Sequence, residues 1–356
     1  MSGWLDRLLG RDKSPNAADG QSARPATAQV EPPAEFEAPA LSKLPDVLSR
    51  ESLLAALSLE APATAPLAAD PELVTRVRSL FQQTNPVPGS PPQLAMRILN
   101  IVSQADADPA ELAKLISHDS SLTAAVLRVA NSAAFRAVGR IETVRDAITR
   151  IGMREVARVG CALSAKSVFD PQRRSEQALF GPVFLDLFIH ASSSALASSA
   201  LAMTLPKLKT KSDTVFVSGL LHDLGKSVAL RLLATIMSAE PGRRALTPDE
   251  AHAILEALHI EFGAHLHTEW RLPESSLSIC QHHHDGLIPE GVALVDENHV
   301  VRLVSAMHLL HARPVTDARL LEVEGSARAL GLNPKQLRDF DAQLTGFREM
   351  AHELGS

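Results

Sequence analysis

Gly219-Leu220-Leu221-His222-Asp223-Leu224-Gly225-Lys226 sets an imidazole beside a carboxylate immediately after an apolar run. A helix of that composition holds the pair rigidly, which is how a metal-ligand site begins. Two ligands do not hold an ion, so the pair has to be completed from elsewhere in the chain. Outward from it, apolar residues recur at helical spacing: Leu73, Val77, Leu80 and Phe81; Leu94, Ile98, Ile101 and Val102; Leu122, Val126, Leu127 and Ala130; Val144, Ala147, Ile148 and Ile151. Gly, Pro, Asn or Asp-Ser breaks separate these stripes, and strand alternation is nearly absent. Aromatic residues make up 4% of the chain with no tyrosine, which suits helices packed through Ala, Leu and Val. The expected fold is all-α, an irregular or orthogonal multi-helix bundle.

Among 356 residues, 45% are hydrophobic and 21% charged, enough to build a core. A formal charge of -6 gives no reason to expect nucleic acid as a partner. Cys161 and Cys280 sit among apolar or small neighbours outside any CxxC pair and read as buried thiols. No apolar run of signal or membrane length occurs, so no membrane span and a cytoplasmic location are expected. Residues 1–70, rich in Ala, Pro, Ser and acids, read as a disordered N-terminal arm with two helical islands. The island at Leu53, Leu54, Leu57 and Leu59 is expected to be a frayed, solvent-facing helix. Residues 71–290 form the main domain, and residues 291–356 a C-terminal helical extension of two or three helices.

Several ordered features carry a family resemblance. Asn85-Pro86-Val87-Pro88 leads into the Leu94 helix, followed by Leu115-Ile116-Ser117-His118-Asp119-Ser120 and Val129-Ala130-Asn131-Ser132. Ile141-Glu142-Thr143-Val144 and Ile151-Gly152 come next, then the segment around His222-Asp223, then His259-Ile260-Glu261-Phe262-Gly263, Leu272-Pro273 and His282-His283. In this order they resemble the HDOD family, a divergent relative of the HD metal-dependent phosphohydrolases, over residues 85–286. One departure is Ser120, where the family usually shows Pro; Ser still permits a helix start. Asn131 either lines a ligand groove or closes its helix as a cap, and the cap is the favoured reading.

By position, the resemblance implies a ligand set of His190, His222, Asp223, His259 and His282 or His283, for a divalent ion such as iron, manganese, magnesium or zinc. Asp223 would bridge two ions through its two oxygens and activate water. Lys226, four residues beyond His222, would neutralise a phosphate. Asp223 and Lys226 are therefore the candidate catalytic residues. The closing acid expected on the helix from Val300 to Leu310 falls at Ala306-Met307-His308, making His308 a weak substitute without negative charge. The stretch from His282 to Leu287 also lacks the glutamate and Gly-Tyr-Pro of cyclic-di-GMP phosphodiesterases. The alternative for the whole cluster is a set of buried packing histidines. His252, His265, His267 and His311 read as surface or helix-face residues, and His284 as solvated.

The leading expectation is a non-catalytic signalling or regulatory protein acting through protein partners, with self-association as a further option. The runner-up is a metal-dependent phosphohydrolase acting on a nucleotide or other phosphoester.

Overall fold

The computed structural model describes all residues except 1–47, 61–66, 87–92, 105, 133–138, 241, 286–291, 293 and 356. Within the described residues every regular element is helical. The N-terminal arm up to residue 47 and most of the Pro-rich segment after Asn85 lie outside them.

Short polar residues start several of the helices. Asp70 caps α2 (Pro71–Thr84), accepting from the Glu72 and Leu73 amides, while Asp108 caps α4 (Pro109–Ser117). Asp119 caps α5 (Ser120–Ala130), and Thr143 caps α6 (Val144–Ile151). Each side-chain oxygen satisfies amides that the helix leaves unbonded. With α3 (Gln93–Ser103) and α7 (Met153–Phe169), these helices make an N-terminal bundle whose core holds Ile98, Ile116, Val126 and Ala147. Asn131 ends α5 in right-handed geometry with its side chain fully used. Nδ2 donates to the carbonyls of Leu127 and Ile141, and Oδ1 accepts from the Ile141 amide at 2.8 Å. It is a cap that also ties down the segment ten residues later.

The axis of the molecule is α8 (Arg174–Thr204), bent at Phe180 just before Pro182. It is long and apolar enough to cross a membrane by composition, but 72% of its apolar window is buried as the core helix of this bundle. Its small residues from Ala191 to Ala202 let neighbours approach closely: Gly219 of α9 (Ser212–Leu221) lies so near that a Cβ there would stand 3.0 Å from Ala195 Cα. Around α8 and α9 pack α10 (Leu224–Ala239), α14 (Val295–Ala312) and α16 (Pro334–Gly355). Outside them lie α11 (Pro248–Glu256), α12 (His259–Glu269), α13 (Glu274–His282) and α15 (Asp317–Ala329). Phe81 of α2 stacks on Phe262 of α12 at 3.9 Å between ring centroids, joining the two halves. Both thiols are free and buried, as their surroundings implied, and burial pushes Cys280 up to about 12.

One expectation fails here. The island at Leu53 is no frayed helix: α1 (Arg50–Ala56) packs against α15 and α16, with Leu53 and Leu57 fully buried. Its four leucines form a stripe just wide enough to need a partner, and the C-terminal helices supply it.

Candidate metal centre

The centre is assembled from helix ends. His222 closes α9 and Asp223 precedes α10, so the pair occupies the turn between them. Lys226 is therefore one turn into the next helix, not on the same helix as His222. His190 comes from the middle of α8, His259 opens α12, and His283 follows α13. Backbone contact between α10 and α12 makes the convergence possible, because a Cβ at Gly225 would lie 1.9 Å from the His259 carbonyl oxygen. Gly263 continues the same crossing, facing Cys280 Sγ.

Four imidazoles surround one carboxylate. Nε2 of His190 and His222 stand 3.3 and 3.4 Å from Asp223 Oδ2, and Nε2 of His259 and His283 each stand 3.6 Å from Oδ1. Three of the rings have a fixed tautomer. His222 Nδ1 donates to the Gly219 carbonyl, His259 Nδ1 to Glu256, and His283 Nδ1 to Cys280, at 2.7 to 2.9 Å. A carbonyl only accepts, so Nδ1 carries the proton and Nε2 presents a bare lone pair. Burial also disfavours the charged form of two of these rings: it lowers His222 well below the usual range and His259 to about 4. As a result, His259 and His283 aim two lone pairs at each other across 3.3 Å and at Oδ1 of a buried carboxylate.

Such a constellation repels itself unless a cation sits within it. Separations of 3.3 to 3.6 Å match the edges of a coordination tetrahedron with arms of about 2.0–2.2 Å, the range of nitrogen and carboxylate ligands. Two donor triads qualify, each with its ligand atoms within 4.8 Å of one another: His190, His222 and Asp223, and His259, His283 and His284. The residues present thus fit a metal ion, with Asp223 in one triad and facing His259 and His283 of the other, and with backbone carbonyls orienting rings from behind.

Charge around the site is tightly matched. Lys226 Nζ lies 2.8 Å from Asp223 and 2.7 Å from Glu256. Burial alone would raise the Asp223 carboxyl, yet the charge around it, with the Lys226 ammonium at 2.8 Å, outweighs burial and holds it well below the carboxylate range. Arg319 of α15 lies 3.1 Å from Glu256 and 2.9 Å from Glu322, and Glu322 meets His284 Nδ1 at 3.1 Å.

His190, His222, Asp223, His259 and His283, all candidates from sequence, come together here. Five readings need correction. His282 turns outward and bonds Asp285 at 2.7 Å, whereas His284, expected to be solvated, packs against His259 and His283 and is only partly exposed. His308 lies beyond His190 and bonds Ser193 at 2.8 Å, with Nε2 buried and unpartnered. Ser305, one turn earlier, is the residue of that helix that reaches the centre, with Oγ 3.2 Å from His190 Nε2 and 3.3 Å from His222 Nε2. Lys226 is committed to two carboxylates, so it is not a ready phosphate partner. His267 is no surface residue: it is 1% exposed, with Nδ1 bonded to the Gly263 carbonyl. Glu256, Arg319 and Glu322 escaped sequence reasoning because no local pattern marks them.

Protonation of this cluster makes stability pH-dependent. His259 binds its proton near 4 when folded and near the ordinary 6.5 when unfolded, so the unfolded chain takes up more protons between these values. Stability of metal-free protein should therefore be full above about 6.5 and fall as pH drops toward 4. Urea midpoints across that range measure it, and His259→Phe should flatten the slope. A midpoint that rises on acidification would contradict the arrangement.

Fold and site together define an all-helical protein with a buried histidine–aspartate centre of HD type. The HDOD domain family model matches residues 89–286, more than half of the chain, and the protein belongs to that family. Among solved structures, it resembles an HDOD domain protein of unknown function from Geobacter sulfurreducens, with TM-score 0.56 and 23% identity over 80% of this chain and 98% of that one. It also resembles a protein from Shewanella amazonensis SB2B named "Putative metal-dependent phosphohydrolase", with TM-score 0.57 and 17% identity over 79% of this chain and 98% of that one. These likenesses establish the fold. An uncharacterized protein of Treponema pallidum is 26% identical over 205 residues, and the match spans 54% of this chain but only 37% of that protein.

Proposed function

We propose that the chain is a cytoplasmic regulatory protein whose HDOD body holds a divalent metal ion and signals through protein partners. The observation that carries metal binding is the set of bare Nε2 atoms of His259 and His283 facing Asp223 Oδ1. A donor set dominated by imidazole favours zinc or ferrous iron over magnesium, which prefers oxygen ligands and keeps its waters. Regulation is favoured over turnover by Ser305: where an acid would close the His190–His222 side, a neutral hydroxyl stands. The bound ion would supply Lewis acidity. This chain's own residues hold and orient it, while Lys226 and Glu256 balance its carboxylate ligand.

Elemental analysis of protein purified without chelator tests the reading. At least one zinc or iron per chain is expected, with loss of most of it in a His259→Ala, His283→Ala double variant. Metal-free wild type, or a variant that keeps its metal, would refute it. The partner arm is tested by affinity capture from native cytosol, where recovery of no signalling protein would count against it.

A phosphohydrolase remains the second reading, favoured by Asp223, whose two oxygens face separate histidine pairs as a bridging ligand would. A panel of phosphomonoesters and phosphodiesters with added manganese, iron or magnesium discriminates between the two. Turnover that disappears in Asp223→Ala would establish the enzyme reading.

A further inference from the structure

Four cationic side chains are buried among the described residues: Arg158, Lys226, Arg231 and Arg302. Three hold carboxylates, with Arg158 on Glu155 and Asp213, Lys226 on Asp223 and Glu256, and Arg231 on Glu176, all within 2.9 Å. Arg302 holds none. It is 2% exposed, and its Nε and Nη1 are buried without a hydrogen-bond partner. The acids whose fields reach it, Glu322 and Asp285, are bonded to Arg319 and His284 in one case and to His282 in the other. A buried guanidinium in that condition is destabilising, which a fold tolerates where a ligand completes the site.

A second observation lies one turn earlier on the same helix. Asn298 is fully buried, and both Oδ1 and Nδ2 lack partners. One turn later Ser305 touches His190 and His222. Spacings of four and three residues stack Asn298, Arg302 and Ser305 on one face of α14, so the unsatisfied pair lies on the face that carries Ser305.

We propose that Arg302 and Asn298 form an anion site for the terminal phosphoryl group of a small phosphorylated ligand. Nε and Nη1 can each form a two-donor fork with Nη2, and such a fork matches two phosphate oxygens. Asn298 Nδ2 adds a third donor, and its Oδ1 accepts from a P–OH, a combination that suits a tetrahedral monoanion better than a flat carboxylate. Lys226 and Arg319, the other cations near the centre, are already matched by Asp223, Glu256 and Glu322, which leaves Arg302 as the group for an incoming anion. The inference deepens the regulatory reading by giving it a ligand input, and rests on it only for the nearby metal.

The test is thermal unfolding of the full chain in EDTA, titrated with inorganic phosphate against chloride and acetate at matched ionic strength. Wild type should show a saturable rise in Tm of several degrees with phosphate alone. Arg302→Met should fold with an unchanged or higher Tm in chloride, since an unpaired charge has gone, and should lose the phosphate response. Arg302→Lys keeps the charge without the fork and should respond weakly; it also serves if the Met variant does not fold. No saturable shift in wild type, a full shift in either variant, or an equal shift with acetate would overturn the proposal. Elemental analysis separates the two ideas. Protein with metal but no phosphate shift sinks this one alone, and metal-free protein with an Arg302-dependent shift sinks only the metal reading.

Discussion

Asp223→Asn should cost the metal-free protein about 3 kcal/mol of unfolding free energy, because it removes one partner of a buried ion pair and leaves the other in place. Lys226 would keep Glu256 at 2.7 Å but lose its 2.8 Å contact with Asp223, with almost no water to replace it. The matching Lys226→Met change should cost a similar amount, since it strands Asp223 among bare imidazole nitrogens. Combined, the two should cost clearly less than their sum, because neither leaves the other's charge uncompensated. Urea unfolding of the four proteins in EDTA gives the coupling directly. Additive losses would show that Lys226 does not support Asp223 as the geometry requires. Repeating the series with zinc adds a separate loss in the Asn variant, because ligand-linked stabilisation disappears with the ligand.

The second large effect concerns a residue with no side chain. In Gly225→Ala the new Cβ would lie 1.9 Å from the His259 carbonyl oxygen and 2.5 Å from the Gly263 amide nitrogen. Both obstacles are backbone, so no rotamer relieves them and α10 must move away from α12. We expect a loss of about 3 kcal/mol or more, together with lost metal affinity, since His259 opens the displaced helix. Gly263→Ala is the internal control: its nearest obstacle is the Cys280 sulfur at 2.7 Å, a side chain that can turn, and the expected cost is about 1–2 kcal/mol. Calorimetric or urea midpoints should rank the two variants in that order. Equal midpoints would mean that the helix crossing is looser than it stands here.

How much of the site could be read from the chain depended on distance along it. His222 and Asp223 were legible because adjacency and an apolar helix fix them together. The run His282-His283-His284 was only half legible. At the end of a helix, successive residues turn by about 100°, so which histidines face inward depends on how α13 lies against α12. The inward pair proved to be His283 and His284. A similar shift along α14 put Ser305 at the centre and His308 a turn beyond it. Sequence pattern specifies a helical period, but the rotation of a helix about its own axis is set by the surfaces that enclose it.

The N-terminal leucines show the same limit. Their stripe announced a helix, and only the presence of α15 and α16 decided that it would be buried. By itself, the sequence determined an all-helical body, its family and the residues at its most local motif, since periodicity, capping and adjacency act within a few positions. The tertiary structure alone decided that Glu256, Arg319 and Glu322 balance the centre, that Lys226 is occupied, and that Arg302 is left without a partner. Those outcomes are electrostatic pairings between helices far apart in the chain, and no interaction links such residues until packing excludes water from between them.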